Sequence, residues 1–505
     1  MDALASLVGG FETALTPTNL LFVTLGVFLG QVIGALPGIG PSAGMALLLP
    51  VTFGLPPATA IIMLAGIMYG GMYGGTLTSV LINVPGEAAS VMTAVDGHQL
   101  ARQGRAGAAL SIAAIGSFLA GVAAVAALVV LTPALAAAAL SFSSPEYFLL
   151  TLLGLTATAG LGSGNIVKAL LVATFGLMLS LVGTDPIVGS QRLTFGSPKL
   201  LEGIDFLPIA IGVFGIAEVL ASLENLARGK PMSTKLADLW LTAREWASCR
   251  MAIVRGGLVG FVIGVLPGAG PTIASLFAYV VERRFSKHPE RFGKGALDGV
   301  AASESANNSA VHAALVPMLS LGIPGSASTA VLLAALILQG IRPGPMLMTE
   351  QPDLVWGLIA SMFVGNVILL VMNLPLAPVF AAILRVPYAY LAPGILVLSL
   401  VGAYATALDL FAVALTLVFG MVGWLMMKAD LPRAPLVLAV VLAPLMESSL
   451  RQSLMLSEGS PMIFVERPIA AALCLLVLLP FVLPLIGALR RRRPKAASSE
   501  QRVPR

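Results

Sequence analysis

No lysine or arginine precedes Arg102 in this chain of 505 residues. A secretory leader needs basic residues ahead of its apolar stretch. No cleaved signal is therefore expected, and the run from Leu20 to Leu36 reads as a first membrane segment. Charge is scarce throughout, at 10% of residues, against about 25% in soluble domains. There are two cysteines, Cys249 in a basic stretch and Cys474 in an apolar one. Neither a disulfide framework nor a tightly bound metal is expected from them. No G-x-x-x-x-G-K-[ST] phosphate loop occurs, which argues against ATP as the energy source. The absence of H-E-x-x-H and of a G-x-S-x-G elbow argues against an intramembrane enzyme. No cofactor is expected. The net charge of +5 is accounted for by a few basic loops, so nucleic acid is not an expected partner.

Apolar residues are abundant, at 57%. Runs of about 20 recur along the chain, and roughly ten to thirteen segments are expected to lie in lipid. With 53 glycines and 34 prolines, those helices are expected to pack closely and to be broken in places.

The breaks recur. Gly34-Ala35-Leu36-Pro37-Gly38-Ile39-Gly40-Pro41 returns 230 residues later as Gly264-Val265-Leu266-Pro267-Gly268-Ala269-Gly270-Pro271. Asn83-Val84-Pro85-Gly86 matches Gly322-Ile323-Pro324-Gly325 at an offset of 239, and Arg105-Ala106-Gly107 matches Arg342-Pro343-Gly344 at 237. Pro133 and Pro145 match Pro375 and Pro387 at 242. A nearly constant offset indicates duplication. The fold class expected is an all-α polytopic membrane protein of two homologous halves, with re-entrant or broken helices at the Pro-Gly motifs. The divisions are an N-terminal segment (1–17), a first membrane repeat (18–226), a basic cytoplasmic linker (227–255), a second membrane repeat (256–489) and a basic cytoplasmic tail (490–505).

Positive charge sets the orientation. Arg228 to Arg255 holds six Lys/Arg against two acids, Arg283 to Lys294 holds five, and the tail carries Arg490 to Arg493. All three are expected in the cytoplasm, with the N-terminus outside. The segment between the first two must then enter and return, as a hairpin with its tip near Pro267-Gly268. The first half should do the same from the outside. The halves would then have inverted topology; one miscounted span would make them parallel.

A broken helix at membrane depth leaves backbone groups that lipid cannot satisfy, so it survives only inside protein or beside a watery cavity. Helix N-termini exposed there attract anions. One Pro-Gly pair is more often a simple kink, but four at matched positions favour a binding site. The substrate site is therefore expected at Pro37, Gly38, Gly40, Ser42, Asn83, Pro85 and Gly86, and at Pro267, Gly268, Gly270, Thr272, Pro324, Gly325 and Ser326. Ser90, Ser275, Ser328 and Thr329 flank these breaks, and a carboxylate could be held there without a fixed arginine. Freed carbonyls could ligate sodium. Glu304, with Asn307 and Asn308 beside it, is the acid best placed to bind a coupling ion, and Glu87 is the second. Both acids also admit a bland reading as interfacial loop residues. Asp96 is expected to cap a helix at the cytoplasmic edge. His312 reads as a hydrogen-bonded packing residue more readily than as a proton carrier.

Several motifs in this order resemble the large membrane subunit of the tripartite tricarboxylate transporters. They are Gly34 to Pro41, Tyr69-Gly70-Gly71-Met72-Tyr73-Gly74-Gly75-Thr76, Asn83 to Gly86, and Asp96-Gly97 leading to Ala101-Arg102-Gln103-Gly104-Arg105-Ala106-Gly107. The second half adds Ala302-Ser303-Glu304-Ser305-Ala306-Asn307-Asn308 and Leu321-Gly322-Ile323-Pro324-Gly325-Ser326. The resemblance implies a multi-pass permease of a bacterial inner membrane, importing carboxylates by coupling to sodium or protons. It also implies two partners, a small membrane subunit and a periplasmic solute-binding protein. Citrate, other tricarboxylates, dicarboxylates and aromatic carboxylates all remain open as substrates. A self-sufficient carrier or channel is the alternative reading.

Overall fold

Proline opens many helices of this chain, because it needs no donor in the first turn. Left-handed residues close others. A computed structural model of the chain describes residues 3–36, 40–162, 165–185, 188–224, 241–268, 270–374, 379 and 388–478. Its first helices are α1 (Ala3–Ala14), α2 (Pro17–Gly34), α3 (Pro41–Leu48), α4 (Pro57–Ile82), α5 (Val91–Arg102) and α6 (Ala106–Ala139). There follow α7 (Ser144–Gly162), α8 (Ile166–Ser180) and α9 (Phe206–Glu224), whose middle is a π-helical turn over Ile211–Ile216. Next come α10 (Ala243–Val265), α11 (Gly270–Phe285), α12 (Leu297–Ala313), α13 (Leu315–Leu321), α14 (Ala327–Leu338) and α15 (Pro352–Asn373). The last are α16 (Tyr388–Ala407), α17 (Leu410–Lys428), α18 (Ala434–Leu456) and α19 (Pro468–Leu478). Among the described residues the one sheet is a two-residue hairpin, Gly183–Thr184 with Gln191–Arg192.

The chain is an all-α polytopic membrane protein. Among the described residues, eight helices are long and apolar enough to span a bilayer, and five shorter apolar helices accompany them. α4 is apolar on every side and buried along almost its whole length, so it is the central post of the molecule.

Small residues bring the helices together. Gly26, Gly30 and Gly34 of α2 lie on the backbone of α4 at Met63, Ile67 and Gly71, where an added Cβ would strike a carbonyl. Gly256, Gly260 and Gly264 of α10 lie in the same way on Ala302, Ala306 and Ala310 of α12. Spaced four apart, each set forms one stripe along a helix. The second glycine set follows the first by 230 residues and its partners follow theirs by 239, the two offsets of the sequence motifs. In lipid no hydrophobic force draws helices together, so such close backbone approach supplies the attraction.

The expected breaks are present. α2 stops at Gly34 and α3 starts at Pro41; α10 stops at Val265 and α11 starts at Gly270. α10 and α11 pack against each other as a hairpin, and Arg255 grips Glu282 with two bonds of 2.7 Å near its open end. α4 ends in left-handed Asn83 (φ 56°), and α13 ends in left-handed Gly322 (φ 72°). In both, the next N–H reaches back six residues, Val84 to Thr78 at 3.4 Å and Ile323 to Pro317 at 3.3 Å. That pairing closes a helix while using up its freed carbonyls.

Some expectations fall on residues the structure does not describe: Pro37 and Gly38, Pro375 and Pro387, the linker up to residue 240, and the tail. The linker's last residues, from Ala243 to Arg255, form the start of α10, opened by a capping box between Thr242 and Glu245. Cys249 and Cys474 are both free, and no cluster of three metal-ligating side chains occurs among the described residues.

Candidate functional site

The breaks of both halves meet at one cavity of about 540 Å³. Gly40, Pro41 and Ser42 line it from α3, and Pro85, Gly86 and Glu87 from the segment after α4. Gly268, Gly270, Pro271 and Thr272 line it from the α10–α11 break, and Ser326 and Ser328 from the start of α14. The first turns of α3, α11 and α14 thus face one space. Each N-terminus favours an anion by about 0.3–1 kcal/mol, or up to about 2 when partly buried. Backbone geometry fits these roles, with Gly268 at φ +80° and Gly270 at φ +64°, both left-handed. The Gly268 N–H donates to the Gly325 carbonyl at 3.1 Å, which pins the two breaks of the second half to each other.

Other expected site residues lie elsewhere. Asn83 is exposed away from the cavity and serves as the helix end. Pro267, Pro324 and Gly325 do not line it; they hold the turns that do. Ser275 is buried behind Thr272, and Thr329 closes a capping box with Ser326.

Two further lining residues carry charge, Arg433 and Glu218. They pair at 2.9 Å. The Arg433 guanidinium also donates to the Val213 carbonyl at 3.2 Å and sits 5.7 Å from the centre of the Phe214 ring. Val213 and Phe214 belong to the π-helical turn of α9, and such turns misalign the backbone ladder and recur at functional sites. The sequence pointed to helix ends that could hold a carboxylate without a fixed arginine; the structure adds Arg433 to the cavity wall. A signal was present: Arg433 stands between Pro432 and Pro435, just ahead of a long apolar stretch.

Behind the cavity, α12 carries the polar cluster. Glu304, Asn307 and Asn308 share one face and are fully buried. The hydroxyl of Thr93 on α5 donates to one Glu304 oxygen. Asn307 donates to Glu87 at 3.1 Å, which joins the cluster to the cavity wall. Asn308 donates to Ser117 at 2.7 Å. The remaining oxygens, Glu304 Oε2, Asn307 Oδ1 and Asn308 Oδ1, are buried with no protein donor. Glu304 is therefore a fully buried helical residue, whereas Glu87 does lie in a loop, the segment between α4 and α5 on the cavity wall.

His312 is held at both nitrogens. Nδ1 faces the Asn308 carbonyl at 2.7 Å and Nε2 faces the Asn366 amide at 3.0 Å. A carbonyl only accepts, so Nδ1 carries a proton. Stacked on Tyr69 at 5.7 Å, the ring fits the packing role. Asp96 departs from expectation. It lies in mid-helix and is buried. It accepts from the N–H groups of Gly293, Gly295 and Ala296 and from the Tyr279 hydroxyl, each at 2.8 Å. It therefore holds the loop that opens α12 rather than the end of its own helix.

A second cavity, of about 800 Å³, opens at the other end of the same helices. Ala334 to Leu338 line it from the end of α14, Phe206 and Leu207 from the start of α9, and Val440 to Ser448 from α18. Glu447 and Arg192 pair at its edge at 2.8 Å.

A family model described as "Tripartite tricarboxylate transporter TctA family" matches residues 20–438. An Agrobacterium vitis protein, described as an uncharacterized 52.8 kDa protein in the TAR-I ttuC' 3' region, is 45% identical over 500 residues, covering 99% of this chain and 100% of that one. Another from Agrobacterium vitis, described as uncharacterized in the TAR-II ttuC' 3' region, is 43% identical over 234 residues, which is 46% of this chain and 97% of that one. No solved structure matches.

Proposed function

This chain belongs to the tripartite tricarboxylate transporter TctA family, and from that premise we propose that it is the permease subunit of a binding-protein-dependent secondary transporter importing carboxylates. The family makes it a component of a tripartite transporter, and its helices make it a multi-pass membrane protein. The proposal adds a bacterial inner membrane, a small membrane subunit, a periplasmic binding protein, and a sodium or proton gradient as the driving force.

The observation that carries the reading is the shared cavity. Residues beside four Pro-Gly motifs converge there, with three helix N-termini and an arginine on its wall. Such a space suits a small anion with several oxygens. The two-half reading draws support from the matched glycine stripes and the matched left-handed ends. The coupling ion is assigned to the α12 cluster, where three buried oxygens lack donors. A buried oxygen without a donor costs free energy, and a cation removes that cost. The bond from Asn307 to Glu87 then connects ion and substrate sites.

The test is uptake of labelled mono-, di- and tricarboxylates by cells expressing the chain with and without a cognate binding protein. Uptake should need the binding protein and an ion gradient. Uptake that persists without any binding protein would favour the self-sufficient carrier, and no carboxylate uptake at all would end the reading.

A further inference from the structure

We propose that Arg433 is the clamp for a substrate carboxylate and that Glu218 is its resident substitute, released when the substrate arrives. The inference rests on the carboxylate reading above and sharpens it.

Arg433 lines the cavity and is largely buried, with 22% of its side chain exposed. A guanidinium there needs a counter-anion, because an unpaired buried charge is costly. Glu218 supplies one, at 2.9 Å and from the same wall. A carboxylate substrate would present the same group that Glu218 now offers. Exchange of one carboxylate for the other keeps Arg433 paired throughout. A planar guanidinium holds a carboxylate by two parallel bonds, which a lysine cannot do.

The π-helical turn explains how the arginine keeps its place during the exchange. The Val213 carbonyl and the Phe214 ring hold the guanidinium independently of Glu218. The clamp is thus held to α9 at two points besides the ion pair, and the displaced Glu218 carboxylate, which also lines the cavity, would turn to the cavity's water. α3 packs on the same turn. The positions of the π turn, of Gly40 to Ser42 and of Arg433 are therefore mechanically linked.

The test uses the purified full-length chain with any subunit that copurifies. Thermal unfolding is followed against acetate, succinate and citrate, with chloride at matched ionic strength as control. At least one carboxylate should raise the wild-type midpoint in a saturable way. Glu218→Gln removes the competing anion and should tighten the apparent affinity several-fold. In transport, the same variant should lower KM and also slow turnover, since release becomes harder. Arg433→Gln alone would leave Glu218 buried and unpaired. The double variant Glu218→Gln, Arg433→Gln restores a neutral pair, and it should fold yet lose the saturable shift. Wild-type affinity in the double variant would overturn the clamp while leaving the carboxylate reading intact. Weaker binding in Glu218→Gln would overturn the exchange. No shift of wild type with any of the three would sink the carboxylate reading, and the clamp with it.

Discussion

The side-chain amide of Asn307 donates to the carboxylate of Glu87 at 3.1 Å, across 220 residues of chain. Asn307 belongs to the buried cluster of α12, and Glu87 to the cavity wall. One hydrogen bond thus spans the proposed ion and substrate sites.

Ion coupling is tested at Glu304. Glu304→Gln keeps size and hydrogen bonding but removes the charge a cation needs. The cation concentration for half-maximal uptake should rise by about tenfold or more, equivalent to about 1.4 kcal/mol or more. Linkage makes substrate binding weaker at limiting cation, with recovery at saturation. Uptake is normalised to the protein in the membrane. An unchanged cation dependence would remove Glu304 from the ion site and leave Glu87 as the next acid to examine.

Glycines of two kinds should respond differently. Gly268→Val places a β-branched side chain at φ +80°, a conformation costing roughly 1–2 kcal/mol, at a point that borders the cavity. Protein should insert and remain folded, with uptake abolished. Gly260→Val strikes the Ala306 backbone, and overpacking of this kind costs about 1–3 kcal/mol or more. Here the yield of monodisperse protein should fall. Size-exclusion profiles and uptake together separate the two, and normal uptake in Gly268→Val would remove that break from the site.

The Asp96 tie is a stability element. Asp96→Ala removes four hydrogen bonds, three of them from the backbone that opens α12. Bonds to charged groups are worth about 1.5–3 kcal/mol each, and buried N–H groups would lose their partner. Tyr279→Phe removes one bond and should cost less. Denaturation in detergent should rank the two variants in that order; the reverse order would show that the loop is held by other contacts.

Topology is read at His288, exposed in the loop after α11. A cysteine placed there in a background lacking Cys249 and Cys474 should react only with reagents admitted to the cytoplasm. Labelling from the periplasm would overturn the hairpin assignment.

The breaks were legible in the sequence because proline and glycine act locally. Pro41 has no donor to lose in a first turn, and Gly322 tolerates a left-handed end. The burial of Glu304 was legible as well, from an acid set among Ala, Ser and Asn. The pairings were not. Arg433 meets Glu218, and Asp96 meets Gly293, only once the helices are packed. Nothing in the spacing of one stretch names a partner in another. The π-helical turn over Ile211–Ile216 was hidden too, since Gly212 and Gly215 read equally well as packing positions in a regular helix.

The two cavities are separated by little protein. α14 borders one at Ser328 and the other from Ala334, six residues on, or roughly 9 Å along a helix. Hydrocarbon is about 30 Å thick. If the two cavities fill with water from opposite faces of the bilayer, the membrane voltage falls mainly across this thin septum, at a field about three times steeper than in plain lipid. A charge crossing it does about 2.3 kcal/mol of electrical work per 100 mV within that one short step. Voltage should then govern the rate at which loaded carriers pass the septum, while the affinities measured from either side stay nearly indifferent to it.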